Sequence, residues 1–494
     1  MAKFYDTLLG EYIKAPGVRG LSLDKLALRD FEYEMISYDS VTDKAKINFK
    51  DVDLSVASNY SGEDVYITAK LYKAQKKEHL TENSILNDIE IPLTEVLKDM
   101  EISGVKIDRD RLKGIGILLK NEIDFLRKKI YEQVGTEFNI NSPKQVGEIL
   151  FDKLALPKGK KTKTGWSVSA EVLGDLAHDY PVAQDIVDYR HYTKILSTYI
   201  EGLLDIADED DLVHTSYNQT VASTGRLSST EPNLQNIPSS DGIAGEVRDA
   251  FVSRWEKGSI MASDYSQVEV RLLAIMSGDE NLIGAFNSGV DIHHKTAEFI
   301  FGTETISSSQ RKIAKAVNFG VIYGISAFGL SKMIAISQKD AKIYIDKFYE
   351  SYPKVREFLD NTIKFCEEKG YVETLFGRKR YINGINDANR IIKQSAEREA
   401  INMPIQGTSA DIIKIAMLEV HDFILKKKLK SKMIMQVHDE LVFDVYPGEE
   451  NTLRTGVFDI MQGVLKKSKH DINNKDKVEL KVDIEIGKSW KDAK

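Results

Sequence analysis

Apolar residues over the first eighty positions recur with a helical beat and never alternate as a strand would. The stretch SVASNYSGEDVYITAKLYKAQKKEHL, starting near Ser55, predicts one long helix, and the lysines at 73–77 with the polar TENS at 81–84 mark a boundary. Beyond it, RLKGIGILLKNEIDFLRKKIYEQV carries apolar residues at 112, 115, 118, 119, 123 and 126, the spacing of a long amphipathic helix. From Val213 strands and loops dominate for some fifty residues, and GSIMASDY (258–265) is a short apolar strand ending in an acid. Residues 291–365 and 386–427 return to helix. MIMQVHDELVFDV (433–445) has two apolar runs around His438, Asp439 and Glu440, which predicts a β-hairpin with the acids at its turn. VELKVDIEIG (478–487) alternates and predicts a last strand. Strands, a long helical insertion, then strands again describe a sheet domain interrupted by a helical one, an α+β class.

Composition narrows this picture only a little. A chain of 494 residues has room for about three domains. Its 68 basic and 76 acidic residues leave a net charge of −8, a mild argument against a nucleic-acid partner that says nothing of how charge is distributed. The single cysteine, Cys366, excludes a disulfide framework and a cysteine zinc site, and suits a reduced compartment. MAKFYDTLLGEYIK lacks the layout of a signal peptide, and the longest nearly apolar run, 319–330, is far short of the ~18 residues of a membrane span. The expectation is a soluble, cytoplasmic protein without a membrane partner. One loop is strongly basic: between Lys153 and Ala170 stand Lys153, Lys158, Lys160, Lys161 and Lys163, with no acid. It is either a solvated loop or a contact to a phosphate backbone.

Two constellations could carry chemistry. Asp264 ends one strand, and Asp439 with Glu440 sits at the hairpin turn. Carboxylates gathered in one sheet repel unless a cation lies between them, which invites hard divalent ions and a two-metal site. The second lies in SSQRKIAKAVNFGVIYG, where Arg311, Lys315, Phe319 and Tyr323 recur every four residues. Each is turned only about 40° from the last, so two cations and two aromatics form one stripe. That stripe is either a basic surface merging into core, or a cradle with cations for a polyphosphate and rings for a sugar and a base. A P-loop, an HExxH zinc site and a G-x-S-x-G elbow are all missing from the sequence.

DYSQVEVR (264–271), RKIAKAVNFGVIYG (311–324) and QVHDE (436–440) closely resemble the three polymerase motifs of family A DNA polymerases, in their large, Klenow-type form. TGRLSSTEPNLQNIP, DIHHKTAEFIFG, GYVETLFGRKR and EREAINMPIQGTSADIIK agree in order, so the likeness covers nearly the whole chain. It implies a right-hand fold with an exonuclease-like remnant at 1–85, a thumb at 86–210, a palm at 211–290 and 405–494, and fingers at 291–404. It also implies templated addition of dNTPs to a primer 3′-hydroxyl by a monomer bound to primer–template DNA, in replication and repair. Two Mg²⁺ ions, for which Mn²⁺ can substitute, would be held by Asp264 and Asp439 with the Tyr265 carbonyl, and Glu440 would be an accessory acid. The resemblance gives the triphosphate to Arg311, Lys315 and His293, with Lys315 a proton donor to pyrophosphate. It places Gln267 at the nucleotide, Phe319 on its sugar, Tyr323 beside the templating base, and Glu269 as a steric gate against a ribose 2′-hydroxyl. Arg226, Arg398, Asn402, Gln406, Gln436 and His438 would face primer and template.

Departures from the family pattern are Val268, Val270 and His294, none of them at the chemistry. Residues 1–80 resemble only the last part of a 3′–5′ exonuclease domain, with no flap-nuclease domain before them. Only a closing Tyr60–Asp64 pair is spelled there, and Asp30-Phe31-Glu32 reads as a solvated acidic turn. No proofreading activity is the expectation.

Overall fold

Seven residues, Ser259–Tyr265, form the strand on which the rest of the molecule is organised (β1). Its interior positions are buried because it lies between two other strands. β2 (Lys432–Val437) and β3 (Glu440–Val445) form the hairpin, and β4 (Val482–Gly487) closes the sheet in the order β2-β3-β1-β4, all pairs antiparallel. A computed structural model describes residues 4–18, 20–157, 159, 161–162, 165–239, 242–466 and 473–494.

Most of the described chain is helical. Near the N-terminus α1 (Leu54–Lys77) packs with helices Thr7–Lys14 and Leu23–Phe31. Tyr60 on α1 packs edge-on against Phe49 and Tyr38, with ring centres 5.7 and 6.3 Å away. Among the described residues no strand precedes Val105. Asp30 does not lie in an acidic turn: it sits in the last turn of helix Leu23–Phe31, paired with its neighbour Arg29, and Glu32 caps that helix in the left-handed region at φ 52°.

α2 (Arg109–Val134) begins at Asp108, whose carboxylate accepts the Asp110 and Arg111 amides, and stops at Gly135 in the left-handed conformation. Its buried face joins two cores: Leu112, Ile115 and Leu119 pack toward the sheet, while Ile123, Leu126 and Ile130 pack against helix Pro181–Ile195 and its neighbours. Leu118, part of the sequence periodicity, is instead 52 % exposed, because it falls off that stripe. The basic loop folds as a short hairpin, Lys161–Thr162 with Gly165–Trp166, and Lys161 stacks over Trp166 at 4.6 Å. Lys158, Lys160 and Lys163 lie outside the described residues.

Four further helices surround the sheet's functional end: α3 (Val268–Ser277), α4 (Ile292–Phe301), α5 (Ser308–Ile322) and α6 (Arg390–Lys427). α5 starts with a reciprocal capping box between Ser307 and Gln310. Its inner face, with Ala314, Val317 and Val321, joins the main core together with residues of α3, α6 and β3. The last strand is shorter than its alternation predicts. Residues 478–481 stay outside the sheet because β1 ends at Tyr265, the partner of Val482. No helix among the described residues is long and apolar enough to cross a membrane.

Candidate active site

Three chain segments far apart in sequence converge on one cavity of about 730 Å³. The sheet supplies its floor. Asp264 on β1 stands directly opposite Glu440 on β3 and Asp483 on β4, which places three acids in one row across three strands. Asp439 lies in the tight turn before β3; its carbonyl accepts the Tyr265 amide and its carboxylate accepts the Ser409 hydroxyl at 3.0 Å. Glu440, expected at the turn, is the first residue of β3 and is buried. It accepts the Trp490 indole N–H at 2.8 Å and pairs with the Lys494 ammonium at 2.8 Å.

Water reaches the Asp264 carboxylate, yet the cleft walls surround it. That desolvation, then the Glu440 charge, push its pKa up from 3.8 to about 6, with Asp439 and Asp483 adding and Lys494 opposing. Among the described residues no three His, Cys, Asp or Glu side chains form a ready-made metal cage. Two aspartates held in mutual repulsion are nonetheless oxygen donors suited to a hard divalent cation completed by substrate oxygens.

The roof is α5. Arg311, Lys315, Phe319 and Tyr323 all line the cavity, Tyr323 just past the end of the helix. Arg311 is paired with Asp291, whereas Lys315 has no ion pair among the described residues. His293, at the start of α4, is buried against Phe319 with ring centres 5.8 Å apart. The Thr296 hydroxyl donates to Asn318 Oδ1, which turns the Asn318 amide nitrogen toward His293 Nδ1 at 2.8 Å. Nδ1 therefore accepts, and Nε2 carries the proton. Burial, helped by Arg311 and Lys315, pulls His293 down to about 4, so it is neutral at pH 7.

Behind the acids Glu269, on the first turn of α3, is buried and shared by two donors: Arg226 Nη2 at 2.8 Å and the Tyr323 hydroxyl at 2.9 Å. Burial raises its pKa against the opposing pull of Arg226. Gln267 lines the cavity in a left-handed conformation, φ 55°, at the turn between β1 and α3. His438 also reaches the cavity.

Four predicted residues are not brought into it. Arg398, Asn402 and Gln406 are spaced by four along one face of α6, where Arg398 meets Gly324 beyond the end of α5. Gln436 is 3 % exposed; its amide donates to the His438 carbonyl and accepts from Gln235. Sequence reasoning missed Gln235, Arg248, Trp490 and Lys494. Arg248 stacks 4.0 Å over Trp490 while donating to the Ile237 and Pro238 carbonyls, and both Arg248 and Lys494 line the cavity. The one available signal was the lone tryptophan among lysines in GKSWKDAK (487–494).

The model of "DNA polymerase family A" matches residues 109–492. The chain is 43% identical to DNA polymerase I of Bacillus subtilis over 99% of its own length and 55% of that protein. It is 44% identical to DNA polymerase I of Lactococcus lactis over 86% of its length and 48% of that protein. The chain thus spans about half the length of the curated relatives it matches. A solved structure described as the POL domain of Pol1 from M. smegmatis, in complex with DNA primer-template and dNTP, superposes with a TM-score of 0.87 at 34% identity, covering 99% of this chain and 82% of that one. With a family match spanning most of the chain and a fold in common from end to end, this protein belongs to DNA polymerase family A.

Proposed function

We propose that this chain is a DNA-templated DNA polymerase, adding dNTPs to a primer 3′-hydroxyl with release of pyrophosphate. One observation carries the reading: paired acids on the sheet and the cation–aromatic stripe of α5 face each other across a single cavity. We assign 211–290 with 405–494 to a palm, 291–404 to fingers and 86–210 to a thumb, the right-hand arrangement.

Asp264 and Asp439, with the Tyr265 carbonyl, would hold two divalent cations, Mg²⁺ or in its place Mn²⁺. Such ions, when bound, activate an attacking oxygen and stabilise a leaving one. Lys315 and Arg311, one turn apart, bind the triphosphate, and Lys315 has no competing acid among the described residues. Its Nζ gives a proton to the departing pyrophosphate. His293 takes part as a neutral Nε2–H donor, because its ring is uncharged at pH 7. Phe319 packs on the incoming sugar, Tyr323 stands beside the templating base, and Gln267 lies at the nucleotide. Glu269, fixed by Arg226 and Tyr323, fills the space that a 2′-hydroxyl would need. Arg226, His438 and the α6 face of Arg398, Asn402 and Gln406 meet primer and template, reading acceptors common to all base pairs in the minor groove. Gln436 supports that surface from behind through the His438 carbonyl.

The test is extension of a labelled primer on defined templates with Mg²⁺ and one nucleotide at a time. The reading requires addition only of the dNTP complementary to the template base, with ribonucleotides used far less. Template-independent addition, or none, would overturn it.

A further inference from the structure

Beneath one wall of the cavity lies a charge cluster that the chemistry above does not use. Glu90, Arg378, Asp411 and Lys414 are each no more than 1 % exposed. Arg378 Nε donates to Asp411 at 2.7 Å, and its Nη2 donates to Glu90. Lys414 reaches the same Glu90 oxygen at 2.6 Å, and Gln219 donates to the other at 2.6 Å. Thr374 donates to the second Asp411 oxygen at 2.7 Å. The guanidinium cannot withdraw without stripping two buried carboxylates.

Gly225, the last residue of the loop 222–225, rests on that guanidinium. Gly225 has φ +87°, and a Cβ there would stand 2.9 Å from Arg378 Nε, so its backbone approaches that side chain too closely for any other residue. The Tyr12 hydroxyl donates to the Ala222 carbonyl at 2.6 Å. Gly407 lets α6 close on the loop from the other side, where a Cβ would be 3.2 Å from the Thr224 carbonyl. The next residue is Arg226, which grips Glu269.

We infer that Arg378 is a positioning residue for sugar selection: locked by Glu90 and Asp411, it forms the floor that sets the 222–225 loop, and through Arg226 the place of Glu269. The inference rests on the polymerase reading and on Glu269 as the gate. Arg378→Lys keeps the charge but loses the planar floor, Gly225→Ala lifts the loop off it, and Tyr12→Phe removes one tether.

The experiment compares kcat/KM for a dNTP and the matching ribonucleotide in the full chain, with melting temperature measured alongside. Discrimination should fall roughly ten-fold in Arg378→Lys and Gly225→Ala, and less in Tyr12→Phe, out of proportion to any change in dNTP use. In a Glu269→Ala background Arg378→Lys should change the ratio no further. The positioning role is overturned if every variant that folds keeps the wild-type ratio, even with a lowered melting temperature, or if the Arg378 effect persists undiminished without Glu269. A wild type that adds no nucleotide would instead overturn the polymerase reading, a distinct result.

Discussion

The cluster at Glu90 and the cluster at Asp264 each gather acids and bases, and desolvation pushes the acids of both upward, yet their neighbours leave them shifted in opposite directions. Glu90 is driven up by burial, but Lys414 and Arg378 overcome that and bring it down to about 2. Asp264 is driven up by burial and finds mostly other acids nearby, so it rises to about 6. The first cluster is nearly closed: both Glu90 oxygens and both Asp411 oxygens accept hydrogen bonds, and Arg378 Nη1 is its one unmatched donor. The second is open. Among the described residues Asp264 accepts no hydrogen bond and Lys315 pairs with no acid. Closed charge holds the frame, and open charge waits for ligands of opposite sign.

The sharpest contrast comes from removing charge on the open side. Asp439→Asn should lower nucleotide addition by at least about 10²–10³-fold, as loss of a group stabilising developing charge does, while primer–template affinity measured by gel shift stays within a few-fold. Charge removed on the closed side should act on folding. Lys414→Met leaves the acids of its cluster in excess and should cost about 3–5 kcal/mol, read from urea denaturation. The protein that remains folded should still add nucleotides.

Acid titration separates the clusters next. A carboxyl held below its unfolded value of 4.5 stabilises the fold above that pH, and the gain is lost as pH falls toward 2; Glu90 acts in this sense. Asp264 has the reverse sign, since without a cation it costs stability as pH rises from near 4 through about 6. The urea midpoint of Glu90→Gln should therefore fall less steeply than that of wild type between pH 5 and 2; parallel acid limbs would break the comparison. The smallest effect belongs to Tyr323→Phe, which removes one of the two donors to Glu269. Ribonucleotide discrimination should drop by a factor corresponding to about 1 kcal/mol, one net hydrogen bond.

Local pattern made the open site readable in advance. The four-residue spacing of Arg311, Lys315, Phe319 and Tyr323 survives as one wall of the cavity, and the apolar runs around 438–440 do form the hairpin. What was not readable depends on contacts between distant segments. Glu90 meets Arg378 and Lys414 across 288 and 324 residues, and no periodicity in either segment announces this. The motif's spelling puts Glu440 at the turn, but pairing with Val437 and Asp264 makes it the first residue of the strand, and Trp490 and Lys494, some fifty residues later, hold its carboxylate. Asp30-Phe31-Glu32 matched a spelling, and its backbone is the end of a helix.

Asp264→Asn, followed by both readouts in one preparation, bears most directly on the claim that the open cluster is the reactive one. Single-nucleotide addition with Mg²⁺ should be lost, while the melting temperature without divalent ions should equal or exceed that of wild type, because a repelled charge has been removed. Addition at near the wild-type rate, or a folding collapse like that expected of Lys414→Met, would contradict it.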